Sequence, residues 1–139
     1  MTITAFEAAK KIGNLSGWTI TNLRLQKLLY LAHKYHLKTY KTPLISRPFE
    51  AWKYGPVLPV VYERCKIFYT RPVVDTFYGI PLIESCEEEI SIKNTFEQYK
   101  NTSTQELVNI THLEKGAWDK TVKEFGLYAP IKNEYILNE

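Results

Sequence analysis

The chain has 139 residues, of which 45% are hydrophobic and 24% charged, and its net charge is +3 at pH 7. This composition excludes an intrinsically disordered chain, and the length predicts one domain, residues 1–139, with a substantial core. The charge is too small to indicate nucleic-acid binding by itself, and no apolar run is long enough to cross a bilayer. Glu7, Lys10 and Lys11 interrupt any signal-peptide core, so we expect a cytoplasmic protein.

Three Ser/Thr-x-x-Glu patterns predict helix N-termini, because the hydroxyl and the carboxylate of such a capping box each accept a backbone N–H. They occupy residues Thr4–Glu7, Ser85–Glu88 and Ser103–Glu106. Gly13 is placed to end the first helix near Asn14. Three such boxes before apolar-periodic segments predict a mainly helical protein.

The strongest predicted helix runs from Thr21 to Tyr40, a segment with no Gly or Pro. Its apolar residues fall on two nearly opposite faces, which is typical of a helix buried between other elements. One face carries Leu25, Leu28, Leu29, Ala32 and Tyr35, and the other carries Leu23, Tyr30 and Leu37. Lys27, Lys34 and Lys41 are spaced by seven, so they are predicted to lie on a flank that reaches solvent.

The remaining segments predict shorter elements. Gly55-Pro56 marks a turn, after which Pro59 opens a helix that runs to about Tyr69. Further helices are predicted at about residues 87–100, 103–113 and 117–125, the last one stopped by Gly126, and a final helical turn follows Pro130. The predicted fold is therefore mainly α, with five to seven helices around the buried central helix. A small extended or β element lies between Pro43 and Val57 or between Arg71 and Ile83.

Catalytic and metal-binding patterns are weak. His33 and His36 have a spacing that can place two imidazoles on one metal, but no third ligand follows at a supporting distance, which favours structural histidines. Cys65 with His112 is a conceivable nucleophile and base, although any chain with both residues offers that pair. The six glycines form no phosphate-binding motif. We therefore expect no enzyme, metal or cofactor.

Basic residues of the central helix are the sequence basis for a second function, a nucleic-acid-binding regulator of a mobile element. A basic stripe that includes an aromatic residue can contact a phosphate backbone. The stripe comprises Arg24, Lys27, Lys34, Lys38 and Lys41, with Tyr30 between them. It lacks the Arg or Asn density of a base-reading helix, so nucleic acid is the less favoured partner.

Aromatic residues are unusually frequent: ten Tyr, six Phe and three Trp make up 14% of the chain. Phe49, Trp52 and Tyr54 precede the Gly55-Pro56 turn, and Tyr62 follows it. Such a cluster forms either a rigid core between elements or a binding surface with aromatic anchors. Core packing is slightly favoured, because the turn has to dock on the central helix.

Two sequence blocks, residues 25–33 (LQKLLYLAH) and 49–57 (FEAWKYGPV), resemble the Panacea domain of the SocA-like, phage-associated GepA-type family of bacteria and their mobile elements. A third block, residues 111–118 (THLEKGAW), resembles its late signature, with Ala117 where Pro is usual. The resemblance extends over about residues 20–136. It implies an antitoxin that neutralises a cognate toxin, encoded by an adjacent gene, through direct protein contact. One branch of the family implies a further role as an adaptor that delivers its toxin to a protease.

The resemblance also selects candidate signature or partner-binding residues. They are Gln26, Lys27, Tyr30, Trp52, Lys53, Tyr54, Gly55, Pro56, Tyr62, His112 and Trp118. Most are expected to be scaffold, with Gly55-Pro56 setting the turn and Trp118 filling the core. Gln26, Lys27 and Lys53 are either satisfied buried groups or contacts to the partner.

Overall fold

The computed structural model describes residues 2–84 and 86–139, and in these ranges the chain is mainly α-helical, as predicted. The elements, in chain order, are α1 (Ala5–Leu15), α2 (Asn22–Tyr40), β1 (Glu50–Trp52), β2 (Gly55–Val57), α3 (Pro59–Cys65), a 3-10 helix (Lys66–Phe68), α4 (Glu87–Tyr99), α5 (Thr104–Thr111), α6 (Ala117–Phe125) and α7 (Asn133–Leu137). Within the described ranges, no helix is long and apolar enough to cross a membrane.

Helix α2 lies at the centre of the fold and contacts α1, α3, α4, α5, α7 and β2. Leu25, Leu28 and Leu29 are buried in the core, which confirms the predicted central helix. The prediction that its lysines lie on a solvent-exposed flank is wrong for Lys27, whose side chain is completely buried. The adjacent strand β2 covers this part of the helix, which a pattern within α2 alone does not reveal.

Capping residues define the helix starts. The Thr4 hydroxyl accepts the Glu7 N–H at 3.1 Å while the Glu7 carboxylate accepts the Thr4 N–H at 2.9 Å, a complete capping box. The Ser103 hydroxyl accepts the Glu106 N–H at 3.1 Å. For α4, the predicted cap Ser85 lies outside the described residues. The N-cap there is Cys86, whose Sγ accepts the Glu89 N–H at 3.4 Å.

Helix α1 ends at Leu15, one residue beyond the predicted end, and Gly13 lies inside its last turn. A Cβ at position 13 would come within 2.3 Å of the Trp18 ring. The indole N–H of Trp18 donates to the Asn14 carboxamide oxygen at 3.0 Å. Gly13 therefore serves to admit the Trp18 ring rather than to end the helix.

The strands β1 and β2 form an antiparallel hairpin, in the first of the two places predicted for a β element. Trp52 pairs with Gly55, so Lys53 and Tyr54 form the turn; the predicted Gly55-Pro56 turn is wrong, because both residues lie in β2. Residues 128–131 cover the other edge of β1. The Ala51 N–H donates to the Ala129 carbonyl at 2.9 Å, and the Tyr128 N–H donates to the Ala51 carbonyl at 2.8 Å. The described part of residues 71–83 contains no strand beyond a single bridge at Pro72.

The carboxylate of the last residue, Glu139, connects α2 with the start of α6. It accepts the Tyr30 hydroxyl at 3.1 Å and pairs with Lys34 at 2.9 Å, both on α2. Its second oxygen accepts the Ala117 N–H at 2.9 Å, at the start of α6, where the N-cap Gly116 has no side chain to do so. Glu139 thus caps α6 and holds it against the central helix.

Candidate functional site

A pocket of about 410 Å³ lies between the first turns of α2, the hairpin turn and α3. Its walls are largely aromatic, and no carboxylate belongs to its lining within the described residues. The lining consists of Asn22, Leu23, Gln26, Lys27, Trp52, Lys53, Tyr54, Val57, Tyr62, Tyr69 and Tyr128. It thus brings together six of the predicted signature residues: Gln26, Lys27, Trp52, Lys53, Tyr54 and Tyr62.

Lys27 forms part of the floor of the pocket. Its Nζ donates to the Pro56 carbonyl at 3.1 Å, and burial lowers the pKa of the ammonium from 10.5 to about 7. A Cβ at position 55 would lie 2.9 Å from this Nζ, and Gly55 has a φ of +111°. Gly55 is therefore required both by its backbone conformation and by the close approach of the lysine.

Gln26 is buried, and both polar atoms of its carboxamide are hydrogen-bonded within the chain. Its Oε1 accepts the Leu58 N–H at 2.8 Å, and its Nε2 donates to Asn22 at 3.2 Å. Because Leu58 is the N-cap of α3, Gln26 fixes the start of that helix against α2. Lys53 has the opposite character: it is exposed at the mouth of the pocket, with Nζ 5.4 Å from the centre of the Tyr54 ring.

Three aromatic rings form a packed wall. The half-buried Trp52 ring meets Tyr62 at 4.8 Å and Tyr128 at 5.6 Å, both edge to face. At the mouth, the side chains of Tyr54, Tyr69 and Tyr128 remain 63%, 79% and 61% exposed. The sequence analysis did not select Tyr69 or Tyr128. Both lie in turns with positive φ, 53° and 70°, where no Gly or Asn gives a sequence signal.

His112 and Trp118 support the hairpin turn from outside the pocket. The Trp118 indole N–H donates to the Trp52 carbonyl at 2.7 Å, and His112 Nε2 lies 3.2 Å from the Lys53 carbonyl. The centres of the His112 and Trp118 rings are 4.0 Å apart. Tyr30 lies elsewhere, buried against Phe49 and bonded to Glu139, so it is separate from the pocket.

His33 and His36 are structural groups in the core. His33 Nδ1 accepts the Ile45 N–H at 3.2 Å while Nε2 lies 2.8 Å from the Asn133 carboxamide oxygen. Burial lowers the pKa of His33 to about 4, so it is neutral at pH 7. His36 bonds to Ser91 at 2.7 Å. Across residues 2–84 and 86–139, no group of three or more His, Cys, Asp or Glu side chains is arranged to hold a metal ion.

Cys65 is buried in the core, and burial raises the pKa of its thiol to about 11. A nucleophilic cysteine needs a lowered pKa, since the thiolate is the reactive form. The environment of Cys65 therefore favours the unreactive thiol at neutral pH, and it matches that of a packing residue.

The basic stripe predicted on α2 does not form a continuous exposed surface. Lys27 is buried, Lys34 is paired with Glu139, and Arg24 donates to the Thr102 carbonyl at 2.6 Å. Only Lys38 and Lys41 of the predicted stripe remain exposed in the structure. The geometry thus removes the observation on which the nucleic-acid alternative rested.

Comparison with known families adds an independent observation. The family model described as "Antitoxin SocA-like, Panacea domain" matches residues 25–119, more than half of the chain. The chain belongs to this family. All eleven predicted signature residues lie inside the matched segment of this Panacea-domain protein.

A curated relative gives the same family. The chain is similar to Antitoxin SocA of Caulobacter vibrioides (strain NA1000 / CB15N), with 40% identity over 111 residues. The match covers 72% of this chain and 58% of the relative, so the chain spans less than two thirds of that protein's length. No solved structure matches the chain.

Proposed function

We propose that this Panacea-domain protein is an antitoxin that neutralises a cognate toxin by direct binding, and that the mouth of the aromatic pocket is the contact surface. Membership of the antitoxin family supports the role, and the pocket supports the location. The observation that carries the location is the exposure of Tyr54, Tyr69 and Tyr128 around one opening. Aromatic side chains are the commonest anchors of protein interfaces.

The apolar surface continues beyond the pocket. A second depression, of about 1050 Å³, adjoins it and shares Asn22, Tyr62 and Tyr69 with its lining. Ile67 extends this surface and is itself exposed. Together the two depressions form a groove along α3, and we propose that it receives a segment of the partner protein.

The chemistry within the described residues fits binding better than catalysis. His33 is neutral and bonded on both ring nitrogens, and Cys65 is held as a thiol. The buried pocket residues Gln26 and Lys27 are held in place by hydrogen bonds to the Leu58 N–H and the Pro56 carbonyl. A rigid floor below an exposed aromatic rim is the arrangement of a preorganised interface.

Co-expression with the toxin encoded by the adjacent gene tests this proposal. We expect the wild-type chain to restore growth and to copurify with the toxin. Tyr54→Ala is expected to weaken the complex about tenfold or more, as loss of an interface anchor does. Tyr78→Ala is the matched control, because Tyr78 is also highly exposed but lies outside the groove.

The outcomes are separable. If the wild-type chain neither rescues growth nor binds the toxin, the antitoxin proposal is wrong. If both tyrosine variants behave alike, the toxin binds elsewhere. The lifetime of the bound toxin in cells distinguishes the two antitoxin mechanisms: sequestration leaves it unchanged, whereas delivery to a protease shortens it.

A further inference from the structure

We propose that a second pocket, which we name the cationic pocket, receives an acidic segment of the partner protein that presents Glu or Asp beside an apolar side chain. This inference rests on the proposed function, since it adds a second contact to the toxin. The cationic pocket has a volume of about 740 Å³ and is formed mainly by residues 43–48 and 129–133, with Phe125 also in its lining. It shares no lining residue with the aromatic pocket.

The charge of this pocket is positive and open to solvent. Its charged lining residues are Arg47 and Lys132, and both side chains are exposed. Among the described residues neither cation is paired with a carboxylate, and the Lys132 Nζ lies 5.2 Å from the centre of the Phe125 ring, a contact that leaves its charge in place. The two segments that form the pocket, residues 43–49 and 125–133, contain no Asp or Glu.

Carboxylates of the adjoining elements do not compensate these cations. Glu50, on β1, accepts the Trp52 indole N–H at 3.0 Å. Glu124, on α6, accepts the Tyr135 hydroxyl. Glu134, the first acidic residue after the pocket segments, does not belong to the lining. The guanidinium and ammonium groups therefore remain available to an anionic ligand.

The rest of the lining selects the kind of anion. Pro43, Ile45 and Pro48 contribute apolar surface beside the two cations. A nucleic-acid duplex carries one phosphate per ~1.7 Å, and proteins neutralise it with several cations along a track rather than with two beside an apolar wall. A peptide segment supplies a carboxylate and an aliphatic side chain together, and a guanidinium can bind that carboxylate through two parallel hydrogen bonds. The lining therefore favours a protein partner.

The cationic pocket adjoins the surface that we propose for the toxin. Tyr128 lines the aromatic pocket, and the next residue, Ala129, lines the cationic pocket. The exposed side chains of Phe125 and Leu127 lie in the same segment of the chain. A partner that contacts Tyr128 can thus reach both pockets, and two linked contacts bind more tightly than either one alone.

Association kinetics of the full chain with the toxin encoded by the adjacent gene provide the test. The variant is the double substitution Arg47→Glu with Lys132→Glu, which reverses the charge of the pocket at two exposed positions. At an ionic strength of about 0.01 M, where the Debye length is about 30 Å, we expect association to be at least about tenfold slower than for the wild type. At about 1 M salt the difference is expected to shrink, because the charges are screened.

The matched control is the double substitution Lys38→Glu with Lys93→Glu. Both lysines are exposed, and both lie outside the linings of the aromatic pocket, the cationic pocket and the groove along α3. The control lowers the net charge by the same amount as the test variant, so it measures the effect of overall charge. We expect its association rate to stay within about threefold of the wild type.

The partner residue is then found by changing the exposed Glu and Asp residues of the toxin to Lys, one at a time. One such toxin variant is expected to restore fast association with the single variant Arg47→Glu, because the ion pair is re-formed with its charges exchanged. Restoration by none of them would overturn the inference.

Three further outcomes count against the inference. If both double variants slow association equally, or if the wild-type rate is the same at both ionic strengths, the inference is wrong while the proposed function stands. If the Arg47/Lys132 variant keeps its rate with the toxin but loses retention on DNA, the pocket serves a nucleic acid and the inference is also wrong. If the wild-type chain forms no complex with the toxin, the proposed function fails and this inference fails with it.

Discussion

Replacing Lys27 with Met is expected to change how the stability of the free protein depends on pH. The lysine is buried, and burial lowers its pKa from 10.5 to about 7 in the folded chain. Between these two values, the unfolded chain binds a proton that the folded chain does not. The contribution of Lys27 to the free energy of unfolding therefore rises as the pH increases from 7 towards 10.5.

The magnitude follows from the same two pKa values. A shift of one pKa unit corresponds to about 1.4 kcal/mol, which sets the greatest slope per pH unit. Because Lys27 is half protonated at pH 7, its contribution between pH 7 and pH 9 is about 2 kcal/mol. Methionine has a similar volume and no charge, so Lys27→Met should lose this rise. It also leaves the Pro56 carbonyl without its donor, at a cost of about 1–3 kcal/mol at every pH.

Urea denaturation at pH 7 and pH 9 measures the effect. The Cys65 thiol opposes the rise, because burial raises its pKa from 9.0 to about 11 in the folded chain. Above about pH 9 the unfolded chain loses this proton more readily than the folded chain, so the contribution of Cys65 to the free energy of unfolding falls. Both proteins keep Cys65, and the comparison cancels its contribution. Lys53→Met, at the exposed lysine of the same pocket, should behave like wild type. An undiminished rise in Lys27→Met would refute the reasoning.

Three further substitutions test the scaffold by urea denaturation at pH 7. Gly55→Ala should cost more than about 2 kcal/mol, because φ is +111° and the new Cβ meets the Lys27 Nζ at 2.9 Å, and a loss below about 0.5 kcal/mol would contradict this account. Ser103→Ala should cost about 1 kcal/mol through loss of the α5 cap, and an unchanged midpoint would show that the cap is dispensable. Glu139→Ala should cost about 3 kcal/mol, because Lys34 loses its largely buried partner and α6 loses its cap, and retention of full stability would exclude this connecting role.

The elements that the sequence predicts well are those specified by neighbouring residues. These include the apolar stripes of α2, whose residues are spaced by one helical turn. They also include the caps Thr4 and Ser103 and the helix-ending Gly126, each of which bonds or stops the chain within one turn. The hairpin also falls in a predicted place, although its turn is Lys53-Tyr54 and the predicted turn residues Gly55-Pro56 begin β2. Local chemistry is sufficient for these features.

The site depends on contacts between distant parts of the chain. Lys27 has the spacing of a solvent-exposed lysine and becomes buried only because β2 arrives 29 residues later. Tyr128 reaches the pocket because its segment pairs with the edge of β1. No sequence pattern near Tyr128 predicts that pairing. The residues selected by the family resemblance include Gln26 and Lys27 of the pocket lining, whereas the rim residues Tyr69 and Tyr128 emerge only from the structure.

The position of Trp52 gives the molecule its own optical reporter. Its indole lines the pocket and is packed between Tyr62 and Tyr128, whereas Trp18 lies by α1 and Trp118 supports the hairpin from behind. Entry of a side chain into the pocket displaces water from the Trp52 ring and shifts the wavelength of its emission. Occupancy of the site can therefore be followed by fluorescence in the unlabelled protein.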